Sequence, residues 1–336
     1  MFKEAISRLI EKQDLTEDQA YRTMKWIMDG SAAESQIAAY LTALRMKGET
    51  VAEIAGSALA MREKAVRIHV RDPKAVDTCG TGGDLKGTFN ISTASAFVLA
   101  GAGVTVAKHG NRSVSSACGS ADVLKALGVN IDLPPDKVET LVNKIGIGFL
   151  FAPLYHDSMR HARKVRQEVG IRTIFNILGP LTNPASASIQ IIGVYHADLT
   201  GLLAKVLMAL GSERCFVVHG LDGLDEISLT GPTMIAEGYR GEVKTYSVSP
   251  EDFGLKPGPM EALLGGDIAL NGRILSGVLD GEKGPRRDIV LMNAAPALVA
   301  VGKAASFSEG VALAAKAIDS GAASAKLKQL IELSNA

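Results

Sequence analysis

Residues 77–93, DTCGTGGDLKGTFNIST, set Gly80, Gly82 and Gly83 between a short apolar run and a helical pattern that begins near Ser92. Glycine lets a ligand approach the main chain, and free N–H groups beside a helix N-terminus hold phosphate or diphosphate. A ligand-free glycine turn is the plain alternative, but Asp84, Thr88, Asn90, Ser92 and Thr93 crowd the same stretch and favour an anion. It is neither a GK[ST] P-loop nor a GxGxxG dinucleotide fingerprint. A second loop, KHGNRSVSSACGSAD, combines Lys108 and Arg112 with Asn111, Ser113, Ser115 and Ser116, while Gly110 and Gly119 supply turns and Ser120 stands at the expected helix N-cap. Two cations among small hydroxyls suit an anion better than a solvated basic turn. In HGLDGLDEIS, Asp225 and Glu226 are adjacent carboxylates accompanied by Asp222. Such hard oxygen donors suit Mg²⁺, which bridges phosphorylated substrates to one or two carboxylates; a solvated acidic turn is the competing reading.

A fourth segment, YHDSMRHARKVRQEVGIRTIFNILGPLTNP, carries Arg160, Arg163, Arg166 and Arg172 along what reads as one helix and closes on a proline-rich turn. Most such arginines cover a solvated face, yet one could offer a planar fork to a carboxylate. The histidines at 69, 156, 161, 196 and 219 have no metal-site spacing, and His109 stands out by its neighbours alone. Cys79, Cys118 and Cys215 include no CxxC pair, so neither a disulfide framework nor a structural zinc site is indicated.

These loops need elements to aim them. The chain has 336 residues, enough for two domains, and 36 Lys plus Arg balance 36 Asp plus Glu, so no net field draws nucleic acid or an anionic membrane. No apolar run approaches the roughly 20 residues of a membrane span. The opening MFKEAISRLIEKQ reads as an amphipathic helix and not as a secretory signal, which makes the cytoplasm the default location. Capping boxes at Thr16, Ser31 and Thr50 predict helices over the first 70 residues, forming a small antiparallel bundle with more apolar surface than it can bury alone. From about residue 74, apolar strands alternate with helices: KAVDT, GVTVAKH, GVNI, GIGFLF, SIQIIGVY and RCFVVHG read as strands. The pattern predicts an α/β fold with a largely parallel sheet flanked by helices, ligands binding at the strands' carboxyl ends. MIAEGYRGEVKTYSV reads as a hairpin of exposed strands, and the tail from Pro259 returns to helices.

GTGGD at 80–84, NIST at 90–93, KHGNRSVSS at 108–116, GPLTNP at 179–184 and LDEIS around Asp225 together resemble the anthranilate phosphoribosyltransferase family over nearly the whole chain. The resemblance implies a small α-helical domain, drawn at 1–72 and joined by a segment near 165–185, and a larger α/β domain of the nucleoside phosphorylase type at 73–336. It implies transfer of the ribosyl group of 5-phosphoribosyl diphosphate (PRPP) to the amine of anthranilate, with two Mg²⁺ per subunit, in a homodimer joined through the helical domain. PRPP would then meet Gly80, Gly83, Asp84, Thr88, Asn90, Ile91, Ser92 and Thr93, the loop Lys108, His109, Gly110, Asn111, Arg112, Ser113, Val114, Ser115 and Ser116, and Ser120. Ser92, Asp225 and Glu226 would hold metal, and Gly80, Asn111 and Arg166 would meet anthranilate.

In that reaction no residue need act as acid, base or nucleophile. Lys108 and the glycine-loop amides stabilise the leaving diphosphate, and Arg166 orients an amine that is already unprotonated. Two other readings compete: a pyrimidine nucleoside phosphorylase of the same fold, and a non-catalytic paralogue that binds nucleic acid. The paired carboxylates speak against the first, and the retained glycine loop with zero net charge against the second.

Overall fold

The computed structural model describes residues 2–113 and 118–336. The first 64 residues form four helices, Phe2–Ile10, Glu17–Met28, Glu34–Lys47 and Val51–Lys64. Two of the expected capping boxes are present: the Thr16 hydroxyl accepts from the Gln19 amide at 3.2 Å, and the Thr50 hydroxyl from the Glu53 amide at 3.3 Å. The box expected at Ser31 is not formed there. The Ser31 amide donates instead to Trp26 O, closing a Schellman turn around left-handed Gly30, and the next helix starts after Ala33, whose amide donates to the Gln36 side chain. At Gly56 a β-carbon would sit 2.9 Å from the Tyr21 amide nitrogen, so helices 17–28 and 51–64 meet backbone to backbone.

The rest of the chain winds around one sheet. Its strands are β1 (Val76–Gly80), β2 (Val106–Gly110), β3 (Ile147–Phe151), β4 (Ile189–Gly193), β5 (Arg214–Gly220), β6 (Thr233–Tyr239) and β7 (Glu242–Val248), in spatial order β3-β2-β1-β4-β5-β6-β7. The first five in that order run parallel, and β6 and β7 add an antiparallel hairpin turned at Arg240–Gly241, where both φ angles are positive. Only β7 is largely exposed; β6 is mostly buried under helix Leu199–Ala209, contrary to the expected pair of exposed strands. The GVNI stretch is no strand. Val129 and Ile131 are buried, but the Asn130 amide donates to the Ser334 hydroxyl and Gly128 O accepts from the Asn335 side chain, so the chain's end satisfies the backbone that a sheet would have paired.

Two large apolar cores sandwich the sheet, and a smaller cluster of Ile68, Ala107, Val138, Val142, Leu150 and Tyr155 packs at β2 and β3. One face packs against helices 91–101, 268–279, 285–300, 307–319 and 322–334. On the other, the four N-terminal helices share a core with Ala162, Val165, the 174–181 segment, helix 199–209 and the side chains Ile192, Val194, Cys215 and Val217. The parallel register then brings the carboxyl ends of β1, β2, β4 and β5, each a glycine, to one edge.

Candidate functional site

The glycine loop leaves β1 at that edge and enters helix Ile91–Gly101. Gly82, Gly83 and Gly87 take positive φ, the left-handed conformation for which glycine carries no steric penalty. The Thr81 amide donates to Gly193 O, the Phe89 amide to Leu263 O and the Gly265 amide to Gly87 O, so β4 and the 263–265 segment hold both ends of the loop. Ile91 and Thr93, expected at the site, have buried side chains and can offer only backbone to a ligand. Ser92 is different: its amide donates to Glu226 Oε1 at 3.2 Å and its hydroxyl accepts from Lys108 Nζ at 3.4 Å.

Lys108 lies on β2, buried between β1 and this helix, and its ammonium also donates to Thr78 O. Burial lowers its pKa, while Asp77, Cys79 and Glu226 work in the opposite direction. Asp77 is itself fully buried, accepts from the His109 amide at 3.0 Å, and has its pKa raised by desolvation against the pull of Lys108. Beyond β2, Asp122 ties the loop together: it accepts from the Ser113 and Gly119 amides and pairs with Arg112 at 3.2 Å. Ser120 is the first helical residue and Gly119 the N-cap; the Ser120 hydroxyl donates to Asn111 O. Val114, Ser115 and Ser116 lie outside the described residues.

Asp225 and Glu226 follow β5. Asp222 shapes their loop by accepting from the Leu224 amide at 3.1 Å and from the hydroxyls of Ser228 and Thr230. The Asp225 amide donates to Asp84 Oδ2 at 3.5 Å, which links this loop to the glycine loop, and the Asp225 carboxylate faces Gly80, whose added β-carbon would lie 3.0 Å from Oδ2. Desolvation and then Asp84 push the Asp225 pKa up to about 7. Glu226 is raised for the same reason, with Asp225 as the second cause and Lys108 opposing. The Asp225 and Glu226 carboxylates thus meet beside Asp84 where burial disfavours their charge, an arrangement that a divalent cation relieves. The described side chains build no complete shell of three or more such ligands, and Mg²⁺ characteristically takes its remaining oxygens from phosphates and water. Donor chemistry and charge therefore fit magnesium.

Of the four arginines, Arg160 and Arg163 are exposed and Arg172 lies beyond the helix Arg160–Val169, after left-handed Gly170. Arg172 stacks on Tyr195 at 4.0 Å and donates to Gly83 O, bringing this segment to the glycine loop. Arg166 is half-buried over the Phe175 ring at 5.2 Å, and burial lowers its pKa. His156 was missed by spacing rules. Its ring lies 5.2 Å from that of His109; burial first, and for His109 the neighbouring His156 next, lowers the pKa values to about 3 for His109 and about 4 for His156. No sequence signal joins the two, because β2 and the turn after β3 become neighbours only through strand pairing.

Models of a glycosyl transferase family match both parts of the chain: its helical bundle domain at residues 3–65 and its a/b domain at 72–324. The sequence is 56% identical over 349 residues to the anthranilate phosphoribosyltransferase of Geobacter sulfurreducens, covering 100% of both chains. It is 55% identical to that of Pelotomaculum thermopropionicum, with 99% of this chain and 96% of the relative covered. The fold superposes on anthranilate phosphoribosyltransferase of Thermus thermophilus with a TM-score of 0.94 at 43% identity, covering 99% of each chain. The Saccharomyces cerevisiae enzyme in complex with PRPP and Mg gives 0.90 at 29% identity, covering 99% of this chain and 98% of that one.

Proposed function

The chain belongs to the anthranilate phosphoribosyltransferase family of glycosyl transferases, and from that premise we propose that its strand-end cleft transfers the phosphoribosyl group of PRPP to anthranilate. The observation that carries the residue roles is the convergence of Lys108 on β2, Ser92 in the helix after β1 and Glu226 in the loop after β5, linked at 3.2 Å and 3.4 Å. In the reaction the bond from ribose C1 to diphosphate oxygen breaks with its electron pair leaving on diphosphate. The anthranilate nitrogen lone pair then forms the C1–N bond, and the extra N–H proton passes to solvent or to the product diphosphate.

Lys108 and the amides of Gly80, Gly83 and the helix N-terminus stabilise the departing negative charge, where a preorganised donor is worth most. Asp84, Thr88, Asn90, the loop from Lys108 to Ser116 and Ser120 hold the rest of PRPP. Ser92, Asp225 and Glu226 hold Mg²⁺, two ions per subunit, which neutralises diphosphate charge when bound. Arg166, with Gly80 and Asn111, orients the anthranilate carboxylate so that the amine faces C1. None of these groups has to accept a proton before the bond forms, in keeping with the depressed basicity of His109 and His156.

We assign residues 1–72, with the segment near 165–185, to a helical domain and 73–336 to a PRPP-binding domain. Exposed Trp26, Leu59 and Met46 on the helical side support a homodimer formed there. No helix among the described residues is long and apolar enough to cross a membrane, and we place the enzyme in the cytoplasm. The test is the fluorescence of anthranilate, which should disappear only with both PRPP and Mg²⁺ present. Protein that binds PRPP yet leaves anthranilate unchanged would overturn the reading. Asp225→Asn combined with Glu226→Gln should weaken the metal dependence.

A further inference from the structure

We infer that Asn293, remote in sequence and touching no reacting atom, is a positioning residue that sets the metal-side carboxylates; the inference rests on the role given above to Asp225 and Glu226. Asn293 is buried in helix Pro285–Ala300 beneath the loop after β5. Its Oδ1 accepts from the Ile227 amide at 2.8 Å, and its Nδ2 donates to Ile227 O at 2.9 Å and to Ile289 O at 2.9 Å. One side-chain amide therefore clamps both backbone groups of the residue that follows Glu226. A two-point clamp fixes peptide orientation as well as position, because the planar amide and the peptide must stay nearly in register.

The same helix also supports the opposite side of the site. Val290 O accepts from the Ser95 hydroxyl at 3.3 Å, and Ser95 sits one turn inside the helix whose first turn carries Ser92. Asp222 braces the front of the carboxylate loop from within, whereas Asn293 ties its rear to a rigid element shared with Ser92. The separation between the Ser92 amide and Glu226, 3.2 Å, is thereby set through a single helix. Outer groups that hold ligating carboxylates in this way tune metal affinity without contacting the ion.

The experiment is Mn²⁺ binding, read from the electron paramagnetic resonance of the free ion at saturating PRPP with no anthranilate, so that turnover plays no part. Asn293→Ala should weaken Mn²⁺ binding about tenfold or more. Asn293→Asp keeps the acceptor for the Ile227 amide and loses the donor, so it should shift binding the same way by less. Arg287→Met, on the same helix as Asn293, removes the pair with Asp319 of helix 307–319 and should lower Tm while leaving Mn²⁺ affinity in place. Unchanged affinity in both Asn293 variants, or an equal loss in Arg287→Met, overturns the inference. Failure of the combined Asp225→Asn and Glu226→Gln variant to weaken Mn²⁺ binding overturns the metal assignment beneath it, and that outcome is distinguishable because it does not involve Asn293.

Discussion

Gly193→Ala tests how far the site depends on one backbone contact. Gly193 ends β4, and a β-carbon there would lie 2.5 Å from the carbonyl carbon of Asp225 and overlap its oxygen. Carbon atoms pack at about 3.5–4.0 Å, so the loop carrying Asp225 and Glu226 must retreat by about 1 Å. Neither side can give cheaply, since Gly193 is held in the middle of a parallel sheet and its carbonyl accepts from the Thr81 amide. Overpacking of this kind costs about 1–3 kcal/mol of stability. A displacement of about 1 Å in a catalytic group costs on the order of 100-fold in rate. Initial rates of anthranilate fluorescence loss at varied PRPP and Mg²⁺ should show kcat/KM for PRPP about 100-fold lower, with folding retained by circular dichroism. Gly201→Ala is the control: on helix 199–209 its β-carbon meets only Thr245 Oγ1, at 4.0 Å, so activity should be kept. If Gly193→Ala keeps kcat/KM within about threefold of the parent, the loop is not positioned by this contact and the argument from close packing fails.

Two further perturbations address charge. Arg166→Ala removes a half-buried guanidinium; a charge-assisted hydrogen bond is worth about 1.5–3 kcal/mol, so the anthranilate KM should rise about 10-fold to 150-fold while that for PRPP stays nearly constant. An unmoved anthranilate KM would remove Arg166 from the assigned role. The second concerns pH. The Asp225 pKa is raised from 3.8 to about 7 in the folded chain by burial and by Asp84, so between those values the folded state binds more protons than the unfolded state. Stability of the metal-free protein should therefore fall as pH rises through that window. A divalent cation replaces the retained proton, so Mg²⁺ with diphosphate should raise Tm more at about pH 8 than at about pH 5.5. An equal or smaller shift at the higher pH would show that these carboxylates are not what the metal relieves.

What could be read from the sequence was what the chain keeps contiguous. The glycine loop, the Lys108 loop and the Asp225–Glu226 pair each carry their own turn residues and donors within about a dozen positions, so local chemistry points to an anion and its metal. Gly80 and Gly110 were legible for the same reason, whereas Gly193, the glycine that ends β4, stands inside an apolar run that marks no boundary. The capping boxes at Thr16 and Thr50 were equally local, yet the destination of Glu53 was not: it is fully buried, accepts from the Leu15 amide at 2.9 Å and pairs with Lys47 at 3.0 Å. A cap that is also a bridge between helices is visible only once the helices pack. Ser31 and GVNI failed in the same manner, because the backbone groups assumed free at those positions were taken by the preceding helix and by the chain's last residues.

The buried histidines show why the remainder of the site escaped. His109 and His156 belong to different segments, and spacing rules look for ligands on one element. Parallel pairing of β2 with β3 sets His109 opposite Leu150, and the turn after β3 then returns His156 to face it. Burial keeps both rings neutral near pH 7, and a second positive charge on His109 would repel Lys108. The end of β2 accordingly presents the Lys108 amine, whose pKa burial lowers and Asp77 pulls back up, above an Asp77 whose own pKa burial raises. That division of charge comes from depth and strand order, neither of which is written in any local run of residues. A site of this kind is half local motif and half fold, and the fold half decides how many of its ionisable groups are charged.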